Sequence, residues 1–325
     1  MPSTQGSARS AYSCAISIVV VTWNAKEFVD KCLASLQAQT AGATSEIIAV
    51  DNASSDGTYE LIRDAFPSVK LIQSGSNCGF AKANNLGIAQ CRGDYVFLVN
   101  PDVVLGNDCL ASLCCYMDEH PEVGIAGPKI LNPDLTIQES CKEFPTLWNS
   151  FCRALALDRL LPQYRLFSGQ LMRYWAHDSA REVDILSGCF WVVRSSALAE
   201  VGLLDEGFFM YAEDRDWCKR FWDAGWHVVY YPGAEAIHYG AASSSREPVR
   251  FYLEMSRANL RYWKKHHGAA GAAAIRLVML LHETLRILGN AIIYVVRPPH
   301  RRNVFRNLQR SFACAKAVLL GHLRG

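Results

Sequence analysis

Two hydrophobic rhythms alternate along the first hundred residues. Ile16–Thr22 is a nearly continuous run of Ile and Val, the pattern of a strand covered on both faces, as in a parallel sheet. Over residues 26–38 the apolar side chains of Phe28, Val29, Cys32, Leu33 and Leu36 recur at helical spacing. A second apolar run at 46–50 opens into a turn-rich stretch at 51–57. It is followed by a helix at 58–65, a strand at 69–72, a helix at 80–90 and a strand at 95–99. Strand and helix taking turns across short connections predicts an α/β doubly wound sheet. Further on, residues 132–182 read as loops with short helices, and 183–193 as a strand-like run containing Ser187-Gly188. Residues 208–224 carry a carboxylate cluster and then a helical pattern, 228–231 form a last short strand, and the chain is helical from Pro248 onward. The expected organisation is a polar tail at 1–14, an α/β domain at 15–247 and a helical extension at 248–325.

Sheets of this kind bind ligands outside the carboxyl ends of their strands. Each of the first four predicted strands runs into Asn, Asp or Thr there: Thr22 and Asn24, Asp51 and Asn52, Asn77 with Gly79, then Asn100 and Asp102. That is the polar rim of a nucleotide pocket. A glycine at 79 permits close backbone approach to a ligand.

Three acidic motifs carry the candidate chemistry: the stretch from Asp51 to Gly57, Asn100-Pro101-Asp102, and Glu213-Asp214-Arg215-Asp216. With the phrases SIVVVTWN from Ser17, NCGFAKANNLG from Asn77, SGCFWVVR from Ser187 and FFMYAEDRDWCKR from Phe208, and with His238 beyond them, they resemble the family 2 glycosyltransferases of the GT-A fold. The likeness covers about residues 16–268 and is strongest toward rhamnosyltransferase-like enzymes of bacterial surface-polysaccharide assembly. It implies an inverting enzyme that transfers a sugar, L-rhamnose from dTDP-rhamnose as the best match, from a nucleotide-sugar to a saccharide or polyprenyl-diphosphate-linked acceptor. It also implies a divalent metal, Mg²⁺ or Mn²⁺, at Asp102 and His238. The family's usual Asp-x-Asp is Asn-Pro-Asp here, which keeps an oxygen donor at Asn100 but removes one negative charge. Asp214 matches the family's base and Glu213 its acidic neighbour. Thr22, Asn24, Asp51, Asn77, Gly79, Asn84, Asn100 and Asp102 match the donor site, and Gly188 and Trp191 the border of donor sugar and acceptor. Taken singly, these residues have plainer readings. Asn-Pro-Asp makes an ordinary turn, Asp56 and Asp216 are typical of helix starts, and Trp191 sits in an apolar strand. A nucleotidyltransferase on the same fold would carry a basic, glycine-rich signature near the N-terminus, which is missing, and a non-catalytic scaffold leaves the acid cluster without a use.

Composition narrows the setting. Half of the 325 residues are hydrophobic, enough for a sizeable core. A net charge of +2 gives no basis for a nucleic-acid partner. The twelve cysteines include no C-x-x-C pair and stand in a chain too long for a disulfide scaffold, so free thiols in a reducing compartment are expected. The polar N-terminus lacks a signal peptide's apolar run. Residues 272–296 are apolar but interrupted by Arg276, His282, Glu283, Arg286 and Asn290, and are followed by Arg297, Arg301, Arg302, Arg306 and Arg310. An interfacial helix on the cytoplasmic face of an anionic membrane is expected there, with packing on the catalytic domain or on a second subunit of a homo-oligomer as the alternative.

Overall fold

The computed structural model describes residues 14–41, 44–240, 248–296 and 301–320. The N-terminal tail up to Ser13 and Arg297 lie outside the described residues. Elements run in the order β1 (Ile16–Thr22), α1 (Val29–Thr40), β2 (Ser45–Asp51), α2 (Thr58–Ala65), β3 (Lys70–Gln73), α3 (Phe80–Ile88) and β4 (Tyr95–Val99). Next come β5 (Val103–Leu105), α4 (Cys109–Glu119), β6 (Val123–Leu131), β7 (Cys141–Lys142), α5 (Leu147–Ala154), α6 (Leu157–Leu160) and α7 (Arg165–Ser168). The chain closes with β8 (Arg181–Glu182), β9 (Ile185–Leu186), β10 (Phe190–Arg194), α8 (Ser195–Val201), α9 (Glu213–Asp223), β11 (His227–His238), α10 (Pro248–Val296) and α11 (Arg301–Leu319).

The strand order is β3-β2-β1-β4-β10-β6-β11-β5, with β8 paired to β11. Strands β3, β2, β1 and β4 are mutually parallel, and β10 is inserted antiparallel between β4 and β6. The sheet is therefore mixed. Its faces are divided by the period-2 rule of strands. Ile16, Ile18 and Val20 with Tyr95, Phe97 and Val99 pack under α1, α2 and α4, whereas Val19, Val96 and Leu98 meet α3, α8 and α9 on the other side. All twelve cysteines are free, and most are buried in these layers.

Several elements depart from expectation. The run at 183–193 is broken into β9 and β10, because its two halves join different sheets: β9 pairs with β7, a ladder that Ser187 N–H extends to the carbonyl of Ser140 (2.8 Å), whereas β10 pairs with β4 and β6. The last strand does not stop at Tyr231. A register shift between Tyr231 and Glu235 absorbs Pro232 and Gly233, and β11 runs on to His238 against β5. The C-terminal helix reverses direction at Gly268 (φ 67°), so Tyr252 from before the turn meets Glu283 from after it (2.5 Å). With α11 these two limbs form a helical bundle, docked through Leu260, Tyr262 and Trp263 on Phe208 and Ala212 of the α/β domain.

Candidate active site

A cavity of about 220 Å³ opens at the carboxyl ends of the central strands. Asn52 follows β2, Asn77 and Gly79 follow β3, Asn100 and Asp102 follow β4, and His238 ends β11. Phe209, Met210 and Tyr211 form one wall, and Phe251 of α10 closes a corner.

The register of β11 on β5 pairs His238 with Val103, which delivers the imidazole to the residue after Asp102. Nε2 of His238 stands 3.3 Å from Oδ1 of Asp102, and both side chains are largely buried. Gln138 decides which imidazole nitrogen holds the proton. Its amide N–H groups donate to His238 O (3.2 Å) and Asn132 Oδ1 (2.9 Å), both acceptors, so its Oε1 is the atom that meets His238 Nδ1 at 2.7 Å. Nδ1 must donate in that bond, and the Nε2 lone pair then faces a carboxylate. Two lone-pair donors converging at this separation repel each other unless a cation or proton lies between them. A nitrogen and an oxygen ligand with an amide behind the histidine suit a divalent metal. No cluster of three or more His, Cys, Asp or Glu ligands occurs among the described residues, and a metal at Asp102 and His238 would share its coordination with other oxygen donors such as substrate phosphate and water.

Four residues expected at the donor do not line the cavity; they frame it. Thr22 and Asp51 are register partners, both buried, and Thr22 Oγ1 donates to Asp51 Oδ1 (3.2 Å). Ser54 N–H takes Asp51 Oδ2 (3.1 Å), so both carboxylate oxygens are engaged within the protein. Asn24 accepts Ser55 N–H (2.7 Å) and fixes the turn after β2. Asn84 is buried in α3 and donates to Phe80 O (2.9 Å). Asn52, which lines the cavity, donates to Asn77 Oδ1 (3.1 Å) and Gly79 O (3.2 Å) and accepts Cys78 N–H (2.9 Å), so one amide ties down the loop after β3. Gly79 cannot be replaced there. Its φ is +88°, and a Cβ would lie 2.3 Å from Phe209 O, the carbonyl bonded by Phe80 N–H at 2.7 Å.

Residues Tyr211 and Ala212 both have positive φ (70° and 63°), a strained pair immediately before α9. They set Glu213 and Asp214 on the first turn of that helix. Glu213 is buried with Oε2 unbonded; burial first, and the neighbouring Asp214 second, push its carboxyl up to about 8. Asp214 is more open, with Lys142 Nζ 3.9 Å from its Oδ2. Burial thus favours the protonated form of Glu213. Asp216 is fully buried and structural: Arg220 (3.0 Å), Lys265 (2.7 Å) and His266 (2.8 Å) all reach it, tying α9 to α10. Burial alone would raise its pKa, but the bonds from His266 and Lys265 bring it below the usual value. Trp191, expected at the acceptor border, is wholly buried against Trp217 and donates to Leu186 O (3.3 Å), which makes it core. Gly188 lies over that indole and near Phe80 of the cavity wall.

The glycosyl transferase family 2 model matches residues 17–202, more than half of the chain. The chain belongs to glycosyl transferase family 2. The N-acetylglucosaminyl-diphospho-decaprenol L-rhamnosyltransferase of Mycobacterium tuberculosis is 30% identical over 292 residues, covering 83% of this chain and 94% of the relative. The dTDP-rhamnosyl transferase RfbF of Shigella flexneri is 25% identical over 84% of this chain and 88% of its own. Among solved structures, the mannosyltransferase PcManGT from Pyrobaculum calidifontis, in complex with GDP-Man and Mn²⁺, superposes with a TM-score of 0.57 over 95% of this chain and 88% of that one, at 15% identity. This glycosyltransferase is thus a rhamnosyltransferase-like member of family 2 with the GT-A fold and a C-terminal helical extension.

Proposed function

We propose that the protein is an inverting rhamnosyltransferase that uses a nucleotide-activated L-rhamnose, dTDP-rhamnose being the best match, and a saccharide carried on a polyprenyl diphosphate. The observation that carries this reading is the convergence of Asp102 and His238, with the His238 tautomer set by Gln138, on the cavity that also holds Asn52, Asn77, Gly79 and Asn100. The relatives named for rhamnosyl transfer and for a diphospho-decaprenol acceptor support the choice of sugar and acceptor. Asp102 and His238 would hold a divalent metal, Mg²⁺ or Mn²⁺, which neutralises the diphosphate when bound. The Mn²⁺ complex of the mannosyltransferase neighbour supports that class of ion.

Asp214 is the general base. It takes the proton from the acceptor hydroxyl as that oxygen forms its bond to the anomeric carbon, while the bond from that carbon to the diphosphate oxygen breaks on the opposite side and the nucleotide leaves. Burial favours the protonated form of Glu213 beside it. The deciding experiment incubates full-length protein with dTDP-L-rhamnose, Mg²⁺ or Mn²⁺ and a short-chain glycosyl-diphospho-prenol, and reads product mass and anomeric configuration by NMR. Metal-dependent transfer with inversion supports the reading. Retention, or transfer only from other nucleotide-sugars, overturns it.

Transfer to a lipid-borne acceptor suits the C-terminal bundle. In its second limb Glu283 is buried against Tyr252, and Arg286 stacks on the same ring (5.5 Å). Leu277, Leu288, Ile292 and Val295 point outward and are 56–72% exposed. Polar side in and apolar side out reverses the habit of a soluble helix. By length and composition the helix can also cross a membrane, with 6% of its apolar window buried. The interfacial arrangement, on the cytoplasmic face, is the one adopted here, because Arg276 lies beside Leu277 on the exposed surface.

A further inference from the structure

We propose that a second pocket, of about 250 Å³ beside the donor cavity, binds the diphosphate of the acceptor; this rests on the acceptor class proposed above. The pocket lies between residues 207–210 and the first limb of α10. Phe209 and Met210 are the wall it shares with the donor cavity. Arg250, Arg257 and Arg261 line it, and Glu254 is the one acid among its described lining residues. Their spacing sets all four along one helical face. Glu254 pairs with Arg257, and Asp205 behind the lining takes Arg261 (3.2 Å) and Lys265 (2.8 Å). Three arginines thus share one described pocket lining, next to the cavity that holds Asp102 and His238.

The arginines are also arranged for oxyanions. Arg250 lies over the Phe209 ring (5.8 Å) and Arg261 over Phe208 (5.1 Å). A cation–π contact of this kind positions a guanidinium without using its N–H groups. Nε of Arg261 is buried and has no hydrogen-bond partner, an unusual state for so strong a donor. Gly207 makes this placement possible, since a Cβ there would lie 1.8 Å from Arg261 Nη2. The donor's own diphosphate belongs with Asp102 and His238, across the Phe209–Met210 wall. The wall continues through Tyr211 and Ala212 into Glu213 and Asp214, so the anchor for the acceptor and the base that deprotonates it stand on one continuous segment.

The test uses full-length protein carrying Arg250→Gln, Arg257→Gln or both, leaving Arg261 and its bond to Asp205 in place. The readout is the ratio of kcat/KM for a glycosyl-diphospho-farnesol over the same glycosyl farnesol without phosphate. Each substitution should lower that ratio about tenfold, as loss of a charged hydrogen bond does. A ratio within about twofold of wild type in the double variant overturns the proposal. A second measurement does not depend on transfer: titration with inorganic pyrophosphate in EDTA, where Asp102 and His238 hold no metal. Wild type should bind and the double variant should bind about tenfold more weakly or not at all; equal affinity overturns the site. If the enzyme transfers only to phosphate-free acceptors, the acceptor class has failed while this titration still reports on the pocket. Loss of binding to phosphatidylglycerol vesicles without a fall in the ratio would assign the arginines to lipid head groups and overturn the diphosphate site.

Discussion

Gln138 Oε1 accepts the Nδ1–H of His238 at 2.7 Å, and that single bond turns the other imidazole nitrogen toward Asp102. The amide reaches the histidine from the loop after β6. Because the amide's N–H groups are occupied by His238 O and Asn132 Oδ1, it cannot turn over without losing both bonds.

The metal pair gives the first prediction. Asp102→Ala removes the one carboxylate of the site, and metal-dependent donor binding should disappear. Asn100→Asp restores a charge that the site lacks and should tighten metal affinity. Gln138→Leu leaves both ligands but frees the ring, and should weaken metal binding by about tenfold or more, the usual cost of losing a partner behind a ligating histidine. Titration calorimetry with Mn²⁺ and the Mn²⁺ electron paramagnetic resonance signal read all three. Unchanged affinity in Asp102→Ala would place the metal elsewhere.

Asp214→Asn keeps the shape of α9 and removes the base. Transfer should fall by about a hundredfold or more, the ordinary contribution of a positioned base, with donor affinity kept. Single-turnover rates and donor titration separate the two effects. Near-wild-type turnover would exclude Asp214 from proton transfer.

Glu213 makes folding stability depend on pH. Its pKa is raised from 4.5 in the unfolded chain to about 8 in the fold by burial and by Asp214. Between those values the native state holds a proton that the unfolded chain has lost. The stability present below the unfolded pKa is therefore lost progressively as pH rises toward the folded one, by at most about 1.4 kcal/mol per pH unit. Urea unfolding at a series of pH values from 5 to 9 should show this decline in the wild type and a flatter curve in Glu213→Gln. Parallel curves for the two proteins would mean that Glu213 ionises normally.

Much of this site is legible in the amino-acid sequence, and the reason is local. In β1 to β4 the strand pattern and the polar residue after it are neighbours in the chain, so pattern alone puts Asn77, Gly79, Asn100 and Asp102 at the pocket. The acids at 213 and 214 stand out as a cluster, but their unequal environments do not, since burial of Glu213 depends on how α9 packs. Gln138 escapes sequence reasoning because its role comes from a bond to a residue far along the chain. Its only sequence signal is a polar side chain in a loop. Asp51 and Trp191 show what a motif leaves unsaid. Both fall in recognisable motifs, yet Asp51 spends its oxygens on Thr22 and Ser54, and Trp191 packs on Trp217. The strands β5 and β6 and helix α4 are not among the predicted elements, and the predicted last strand ends short of Pro232 because proline usually ends a strand. The bulge that carries β11 on to His238 is a tertiary feature.

The last prediction concerns the outer face of the C-terminal bundle. Deleting residues 271–325 would be the simplest test of that face, but the packing argues against it. Ile275, Cys314 and Val318 pack in the same cluster as Phe208 and Ala212, so removing them would open the wall beside the active-site acids. Leu288 and Ile292 lie outside that cluster, being 56% and 64% exposed on the outward side. Changing both to Glu leaves the core intact and places two charges where an acyl boundary is proposed. Binding to anionic vesicles at low salt should fall by about tenfold or more, and the wild type's own binding should weaken as salt is added. Melting temperature should stay near that of the wild type, because neither side chain is buried. A dimer formed through this face predicts something different: the substitutions would convert a dimer to a monomer by sedimentation, with vesicle binding absent in both proteins. Wild-type protein that ignores anionic vesicles at low salt would decide for the subunit contact.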